Sequence, residues 1–235
     1  FSIFIMTTGP TGPGDPMRPA VAGNKTPGNS GAPPVILASG STVRARLLKN
    51  AGLNFTVEVS AVDEDSIKQN MQADAAPAHE IAAALAEQKA QRVSRNHPEA
   101  YVIGADQILG LGDDGDTKIQ MFDKPVGMAG ARNHLQRLRG HEHRLFTAAC
   151  ICRNGQPVWQ HLETPRLTMR DFSDAFLEDY LAQSGEKILN SVGAYLLEDR
   201  GAQLFSKIDG DYFSILGLPL LSLLAFLREH GIVDA

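Results

Sequence analysis

Residues 35–48 read VILASGSTVRARLL, and this stretch decides how the chain begins to fold. Its apolar start, Val35 to Ala38, predicts a buried strand, and the turn Ser39-Gly40-Ser41 leads directly into an amphipathic helix. Unpaired N–H groups at the start of such a helix favour an anion. Arg44 in the first turn opposes the helix dipole, which makes more sense if a phosphate occupies the turn. The stretch also fits an ordinary serine-capped helix, so other motifs of the sequence are needed to choose between these two interpretations.

The bulk composition is that of a globular domain. The chain has 235 residues, of which 43% are hydrophobic and 21% charged, and its net charge is −5. That charge argues against a general nucleic-acid binder, and the longest apolar run, 215–227, is too short to cross a membrane. Two cysteines, Cys150 and Cys152, are expected to be buried, unpaired and on opposite faces of one strand. We therefore expect a cytoplasmic protein without a nucleic-acid or membrane partner.

The organisation is a tail followed by one α/β body. Residues 1–34 are rich in Gly, Pro, Thr and Asn and are predicted to be a disordered tail, and residues 35–235 form the folded domain. Parallel-type and hairpin connections together predict a mixed sheet. The predicted helices cover 42–51, 78–96, 128–138, 173–183 and 219–230. The predicted strands cover 55–59, 101–105, 143–153 and 157–169, with a hairpin of 108–111 and 118–122 around the turn 112–116.

Six short motifs follow the opening stretch in a fixed order. They are Val62-Asp63-Glu64, residues 84–90 (ALAEQKA), residues 103–107 (IGADQ), Asp123-Lys124-Pro125, residues 192–195 (VGAY) and residues 215–219 (ILGLP). Together they resemble the Maf family of nucleoside triphosphate pyrophosphatases, from about Val35 to the C-terminus. The resemblance implies an elongated mixed sheet flanked by helices, similar to inosine-triphosphatase-like folds, with two lobes around a central cleft. It also implies an enzyme that releases pyrophosphate and a nucleoside monophosphate, and family members are often homodimers.

Three cations are candidates for holding the triphosphate: Arg44, Lys89 and Lys124. By itself, Lys89 reads as a solvated lysine in the middle of a helix, and Lys124 reads as a loop lysine held extended by Pro125. The resemblance implies that all three contact the triphosphate. Ser39 and Ser41 are expected to donate hydrogen bonds to phosphate oxygens rather than to act as nucleophiles, since no Gly-x-Ser-x-Gly turn is present.

Two carboxylates are candidates for the hydrolytic step. Asp106 is expected to end the strand 101–105, where ligands of α/β sheets usually bind. Glu64 lies between two aspartates and reads as part of an acidic loop. The resemblance implies that Asp106 acts as general base or orients the attacking water, and that Glu64 helps with metal or water. Both would hold Mg²⁺ or Mn²⁺, which often binds one or two carboxylates and several waters.

The base of the nucleotide is a separate question. Gln107 after the aspartate, Val43 in place of an arginine, and Glu198 are closer to the branch that resembles 7-methyl-GTP pyrophosphatases. A glutamate carboxylate can accept from N1–H and the exocyclic amine of guanine, whereas a glutamine amide suits thymine or uracil. Gln107 and Glu198 are thus predicted to bind the substrate. The alternatives are a dTTP/UTP pyrophosphatase and a non-catalytic nucleotide-binding regulator of cell division.

Overall fold

The structure is a computed structural model that describes residues 33–112 and 119–234. The predicted tail, 1–34, lies almost wholly outside these residues, as does most of the predicted turn 112–116. The strands are β1 (Val35–Leu37), β2 (Thr56–Val57), β3 (Tyr101–Leu111), β4 (Gln120–Phe122), β5 (Glu142–Arg153), β6 (Gln156–Glu163), β7 (Arg166–Met169) and β8 (Phe205–Asp209). The α-helices are α1 (Thr42–Asn50), α2 (Glu64–Ala73), α3 (Ala78–Ser94), α4 (Gly127–Leu138), α5 (Asp174–Ser184), α6 (Tyr212–Ile215) and α7 (Leu220–Glu229). Two 3₁₀ helices cover Gly185–Asn190 and Arg200–Leu204.

The eight strands form one mixed sheet, as the sequence predicts. Its main order is β2-β1-β3-β5-β7-β8, with β4 beside β3 and β6 beside β5. Only β1 makes parallel pairs, with β2 and with β3, and the other pairs are antiparallel. The two-lobed arrangement around a cleft stays a prediction.

Strand β3 lies between β1 and β5 in the sheet, and one of its edges is divided. Residues 101–103 pair with β1, and residues 109–111 pair with β4. Between them, residues 104–108 have no strand on this edge in the part of the chain that the structure describes, while their other edge pairs with β5. The predicted end of the strand at Ala105 is therefore wrong, because β5 continues the ladder past Asp106 to Leu111. Asp106 lies in the middle of β3, at the break between β1 and β4.

Helices cover both faces of this central pair of strands. Side chains of β3 alternate between the faces, so Val102 and Ile108 pack in the cluster that contains α3, and Tyr101, Ile103 and Ala105 pack with α1 and α7. A third cluster, around α4 and α5, buries Leu109 of β3 and Leu145 of β5. Helices α1 and α3 therefore pack on opposite faces of β3.

Helix α2 was not expected. The sequence around Glu64 reads as an acidic loop, yet a ten-residue helix begins there. Asp63 caps it, because its carboxylate accepts from the backbone N–H of Ser66 at 3.1 Å and from the Ser66 hydroxyl at 2.7 Å. None of the ten residues is fully buried, so the apolar periodicity that marks a packed helix is weak.

Three smaller differences concern β-structure and cysteines. The predicted strand 157–169 is two strands, β6 and β7, and the predicted strand 55–59 shortens to two residues. The two cysteine sulfurs lie 3.7 Å apart on one face of β5, so their predicted placement on opposite faces is wrong, since residues two apart on a strand share a face. None of the helices in the described residues is long and apolar enough to cross a membrane.

Gly104 sets how closely α3 approaches β3, and its substitution is our first prediction. A Cβ at this position would lie 2.1 Å from the Ala86 carbonyl oxygen and 2.7 Å from the Ala90 nitrogen. We expect Gly104→Ala to lower the free energy of unfolding by about 1–3 kcal/mol, because backbone atoms of α3 have to move. Urea denaturation measures this, with Gly40→Ala as the control, since its Cβ would meet only Val59 at 3.6 Å. Equal effects of the two substitutions would contradict the prediction.

Candidate active site

A buried lysine joins two carboxylates beside the break in the sheet. The ammonium of Lys89 lies 2.7 Å from Oδ1 of Asp106 and 2.7 Å from Oε2 of Glu64. The side chains of Lys89 and Asp106 are only 7% and 12% exposed, whereas Glu64 is nearly half exposed. Three elements contribute, since Lys89 comes from α3, Asp106 from β3 and Glu64 from the first turn of α2.

The position of Lys89 follows from the packing of α3. Its buried residues form a stripe along one face of the helix, and Lys89 belongs to that stripe rather than to the solvent face: Ile81, Ala82, Leu85, Ala86, Lys89, Ala90 and Val93. The small residues Ala86 and Ala90 and the absent side chain of Gly104 bring the helix onto β3. A lysine in such a stripe needs an acidic partner, and Asp106 on the facing side of β3 supplies it.

Arg44 approaches the same break in the sheet from α1. Its Nη1 donates to the carbonyl oxygen of Ala105 at 2.9 Å and to the hydroxyl of Ser39 at 3.1 Å, and its Nε donates to the carbonyl oxygen of Gly217 at 2.8 Å. Burial lowers the pKa of Arg44, and the nearby charges of Asp106 and Glu64 act in the opposite direction. The three acceptors are neutral groups, so they fix the guanidinium without removing its charge.

The two serines of the first turn both support Arg44. Ser39 is buried, and its Oγ also accepts from the backbone N–H of Ser41 at 3.3 Å. Ser41 caps α1, with its Oγ accepting from the backbone N–H of Arg44 at 3.3 Å. The predicted N-cap is therefore confirmed.

Lys124 is not in contact with this group. It lies on the exposed loop between β4 and α4, and within the described ranges its ammonium forms no ion pair or hydrogen bond. Its neighbour Asp123 forms an ion pair with Lys68 of α2, the helix that also carries Glu64. The loop of Lys124 and the carboxylate of Glu64 are therefore connected through one helix.

Gln107 points away from Asp106. Its Nε2 donates to Oγ1 of Thr147 at 2.8 Å and to the carbonyl oxygens of Ser214 and Ile215 at 2.9 and 3.2 Å. These contacts join β3 to β5 and α6 on the face opposite α3. The amide nitrogen of Gln107 thus holds β3, β5 and α6 together. The substrate-binding role of this residue stays a prediction.

Glu198 lies between the two 3₁₀ helices and forms an ion pair with α1. Its Oε1 is 2.8 Å from Nη2 of Arg46, two residues after Arg44. No other bond occupies the Glu198 carboxylate among the residues described. Sequence reasoning missed Arg46, because an exposed arginine on a helix gives no signal that its partner lies 152 residues away. Sequence reasoning likewise missed that the carbonyl oxygen of Gly217 accepts from Arg44, although Gly217 lies inside the motif 215–219.

A strand–turn–helix with cations and carboxylates beside it is typical of α/β proteins that bind phosphate. Comparison with known proteins gives the family. The profile of the family described as Maf-like protein matches residues 34–230, and the chain therefore belongs to that family.

Individual relatives align over nearly their whole length. A protein of Paramagnetospirillum magneticum named nucleoside triphosphate pyrophosphatase is 53% identical over 196 residues, which cover 83% of this chain and 98% of the relative. One of Rhodospirillum rubrum with the same name is 51% identical over 201 residues, covering 86% of this chain and 96% of the relative. One of Rhizobium meliloti named 7-methyl-GTP pyrophosphatase is 47% identical over 203 residues, covering 86% and 99%.

The burial of Lys89 leads to a prediction about stability. We expect Lys89→Met to lower the free energy of unfolding at neutral pH by about 3 kcal/mol, because it leaves the buried carboxylate of Asp106 without its partner. Chemical denaturation at pH 7 measures the change. Lys207→Met, at an exposed position on β8, is the matched control and should have little effect. A loss no larger than that of the control would contradict the prediction.

Proposed function

We propose that this protein hydrolyses a nucleoside triphosphate to the nucleoside monophosphate and pyrophosphate, with the group around Lys89 as its active site. The observation that carries the proposal is the convergence of the buried Lys89 and the partly buried Arg44 with two carboxylates at the break between β1 and β4. The names of the relatives support the same reaction. As a nucleoside triphosphate pyrophosphatase, the chain is a hydrolase.

Each residue has a distinct part in this reaction. Arg44, Lys89 and Lys124 bind oxygens of the triphosphate and offset the charge that develops as the anhydride breaks. Ser39, Ser41 and the N-terminus of α1 hold Arg44 and present donors to the same phosphates. Asp106 orients a water molecule and accepts its proton while the water oxygen bonds to a phosphorus atom of the α–β anhydride. The bond from that phosphorus to the bridging oxygen breaks, and pyrophosphate and the nucleoside monophosphate leave.

Glu64 and Asp106 also suit a divalent cation. Each uses one oxygen for Lys89, so Oε1 of Glu64 and Oδ2 of Asp106 are left to bind a metal. In the described parts of the chain, no cluster of three or more His, Cys, Asp and Glu side chains forms a complete cage. Two carboxylates together with phosphate and water oxygens are a usual set for Mg²⁺ or Mn²⁺. When bound, the ion would offset phosphate charge.

The test is pyrophosphate release. We expect wild-type protein with Mg²⁺ or Mn²⁺ to release pyrophosphate, and Asp106→Asn to lose roughly 10²–10⁴-fold in kcat, since a positioned base contributes that much. Asp171→Asn, at an exposed aspartate, is the matched control and should keep wild-type activity. Release of orthophosphate instead would indicate a phosphatase that removes the terminal phosphate. Nucleotide binding without any turnover would favour the non-catalytic regulator.

For the base, we propose a guanine-type nucleotide, with 7-methyl-GTP favoured. The Glu198 carboxylate supports this, because it can accept from N–H groups of the guanine edge and attracts the positive charge of a 7-methylated base. The 7-methyl-GTP pyrophosphatase of Rhizobium meliloti is among the relatives. One observation favours dTTP or UTP instead. Arg46 occupies Oε1 of Glu198, so the pair offers a donor beside an acceptor, as a glutamine amide would.

Turnover of 7-methyl-GTP, dTTP and UTP by one preparation separates these substrates. We expect the highest kcat/KM for 7-methyl-GTP, and we expect Glu198→Gln to lower that preference about tenfold, the effect of one charged hydrogen bond. Faster turnover of dTTP or UTP by the wild type would overturn the guanine proposal and leave the reaction itself unaffected.

A further inference from the structure

An ion pair joins α2 to the loop that carries Lys124. The ammonium of Lys68 contacts Oδ1 of Asp123, and the two side chains are 22% and 75% exposed. One turn further along α2, Nε2 of Gln72 lies 3.5 Å from the sulfur of Met121 in β4. Glu64, Lys68 and Gln72 are spaced four residues apart, so they follow one face of the helix. The same face of α2 thus contacts Lys89 at its first residue and the β4–α4 segment further on.

Helix α2 combines little buried apolar surface with polar contacts to its neighbours. None of its residues is fully buried, and only Ile67 and Met71 are partly buried against the cluster around α3. A helix with so little buried apolar surface has few contacts that fix its orientation. The ion pairs at Glu64 and Lys68 are the charged contacts that link α2 to the buried site and to the exposed loop.

We propose that the Lys68–Asp123 ion pair is a positioning contact that holds the Lys124 loop next to α2, so that Lys124 and Glu64 act on the same triphosphate. Asp123 is the immediate neighbour of Lys124, and Pro125 keeps this part of the loop extended. Lys68 lies one helical turn, about 6 Å, from Glu64 along α2. The inference rests on the proposed function, because it concerns the triphosphate of that reaction.

Direct binding of phosphate by Lys68 is the alternative, and it predicts the opposite change in kcat/KM when Asp123 loses its charge. If Lys68 bound phosphate itself, Asp123 would compete with the substrate for its ammonium. Removing the charge of Asp123 would then free Lys68 and raise kcat/KM. If the pair positions the loop, removing either charge lowers kcat/KM, and removing both lowers it no further, because the interaction is already lost.

The experiment measures kcat and KM for pyrophosphate release by wild type, Lys68→Met, Asp123→Asn and the double variant. We expect each single variant to lose about tenfold in kcat/KM, mainly through KM, and the double variant to match the singles. Reversal of the pair, Lys68→Asp with Asp123→Lys, should recover most of the activity. Circular dichroism and thermal unfolding of each variant confirm that the protein is folded.

The ion pair of Arg132 in α4 with Glu178 in α5 supplies the control. It is an exposed pair between two elements, and Arg132→Met, Glu178→Gln and their double variant should leave kcat/KM unchanged. A rise in kcat/KM for Asp123→Asn, or wild-type activity in both single variants, overturns the positioning role while the proposed function stands. If the wild type itself releases no pyrophosphate from any nucleotide, the proposed function fails, and this inference fails with it.

Discussion

The site depends on one buried ammonium, that of Lys89, held between Asp106 and Glu64. A lysine is seldom this well buried, because taking its charge out of water costs several kcal/mol unless carboxylates compensate. Here the compensation comes from the two elements on either side of α3 in the chain, since β3 supplies Asp106 and α2 supplies Glu64. Helix α3 supplies the cation on its sheet-facing stripe, and β3 supplies the main acceptor. The close approach of these two elements at Gly104 is therefore part of the candidate site as much as of the core.

The break in the sheet explains why the cations meet there. Strand β1 ends after Leu37 and β4 begins to pair only at Leu109, and within residues 33–112 and 119–234 no strand pairs with the edge of β3 between them. The Ala105 carbonyl in this gap accepts from Arg44, which reaches it from the opposite layer to Lys89. A continuous edge would have used that carbonyl in a ladder hydrogen bond. The gap thus lets residues from both helical layers approach the same point of β3.

Much of this could be predicted from the sequence, and what could not has physical reasons. The strand–turn–helix at 35–48, helix α3 and the cap at Ser41 follow from local patterns, and the structure confirms them. The resemblance to the Maf family singled out Arg44, Lys89, Glu64 and Asp106, which the structure brings together, although their roles stay proposals. The end of a strand at Ala105 was wrong, because two polar residues interrupt the apolar run and only the ladder with β5 shows that β3 continues. The partners of Lys68 and Arg46 lie far away in the sequence, so no local pattern reveals them. Helix α2 does have a local signal, its Asp63 cap, but its polar sequence resembles an acidic loop.

The charges of Lys89 and of the three ionised side chains near it have a consequence for how a nucleotide would bind. Arg44 and Lys89 carry two positive charges, and Glu64 and Asp106 carry two negative charges, so the group is electrically balanced before any ligand arrives. A nucleoside triphosphate brings about four negative charges. A group without net charge attracts it only where its own positive charges lie nearer to the phosphates than its negative charges do. In the proposed reaction, Lys124 and a divalent cation that accompanies the nucleotide would offset the excess. Affinity for the substrate would then be thermodynamically linked to the concentration of that cation, rather than fixed by the protein alone.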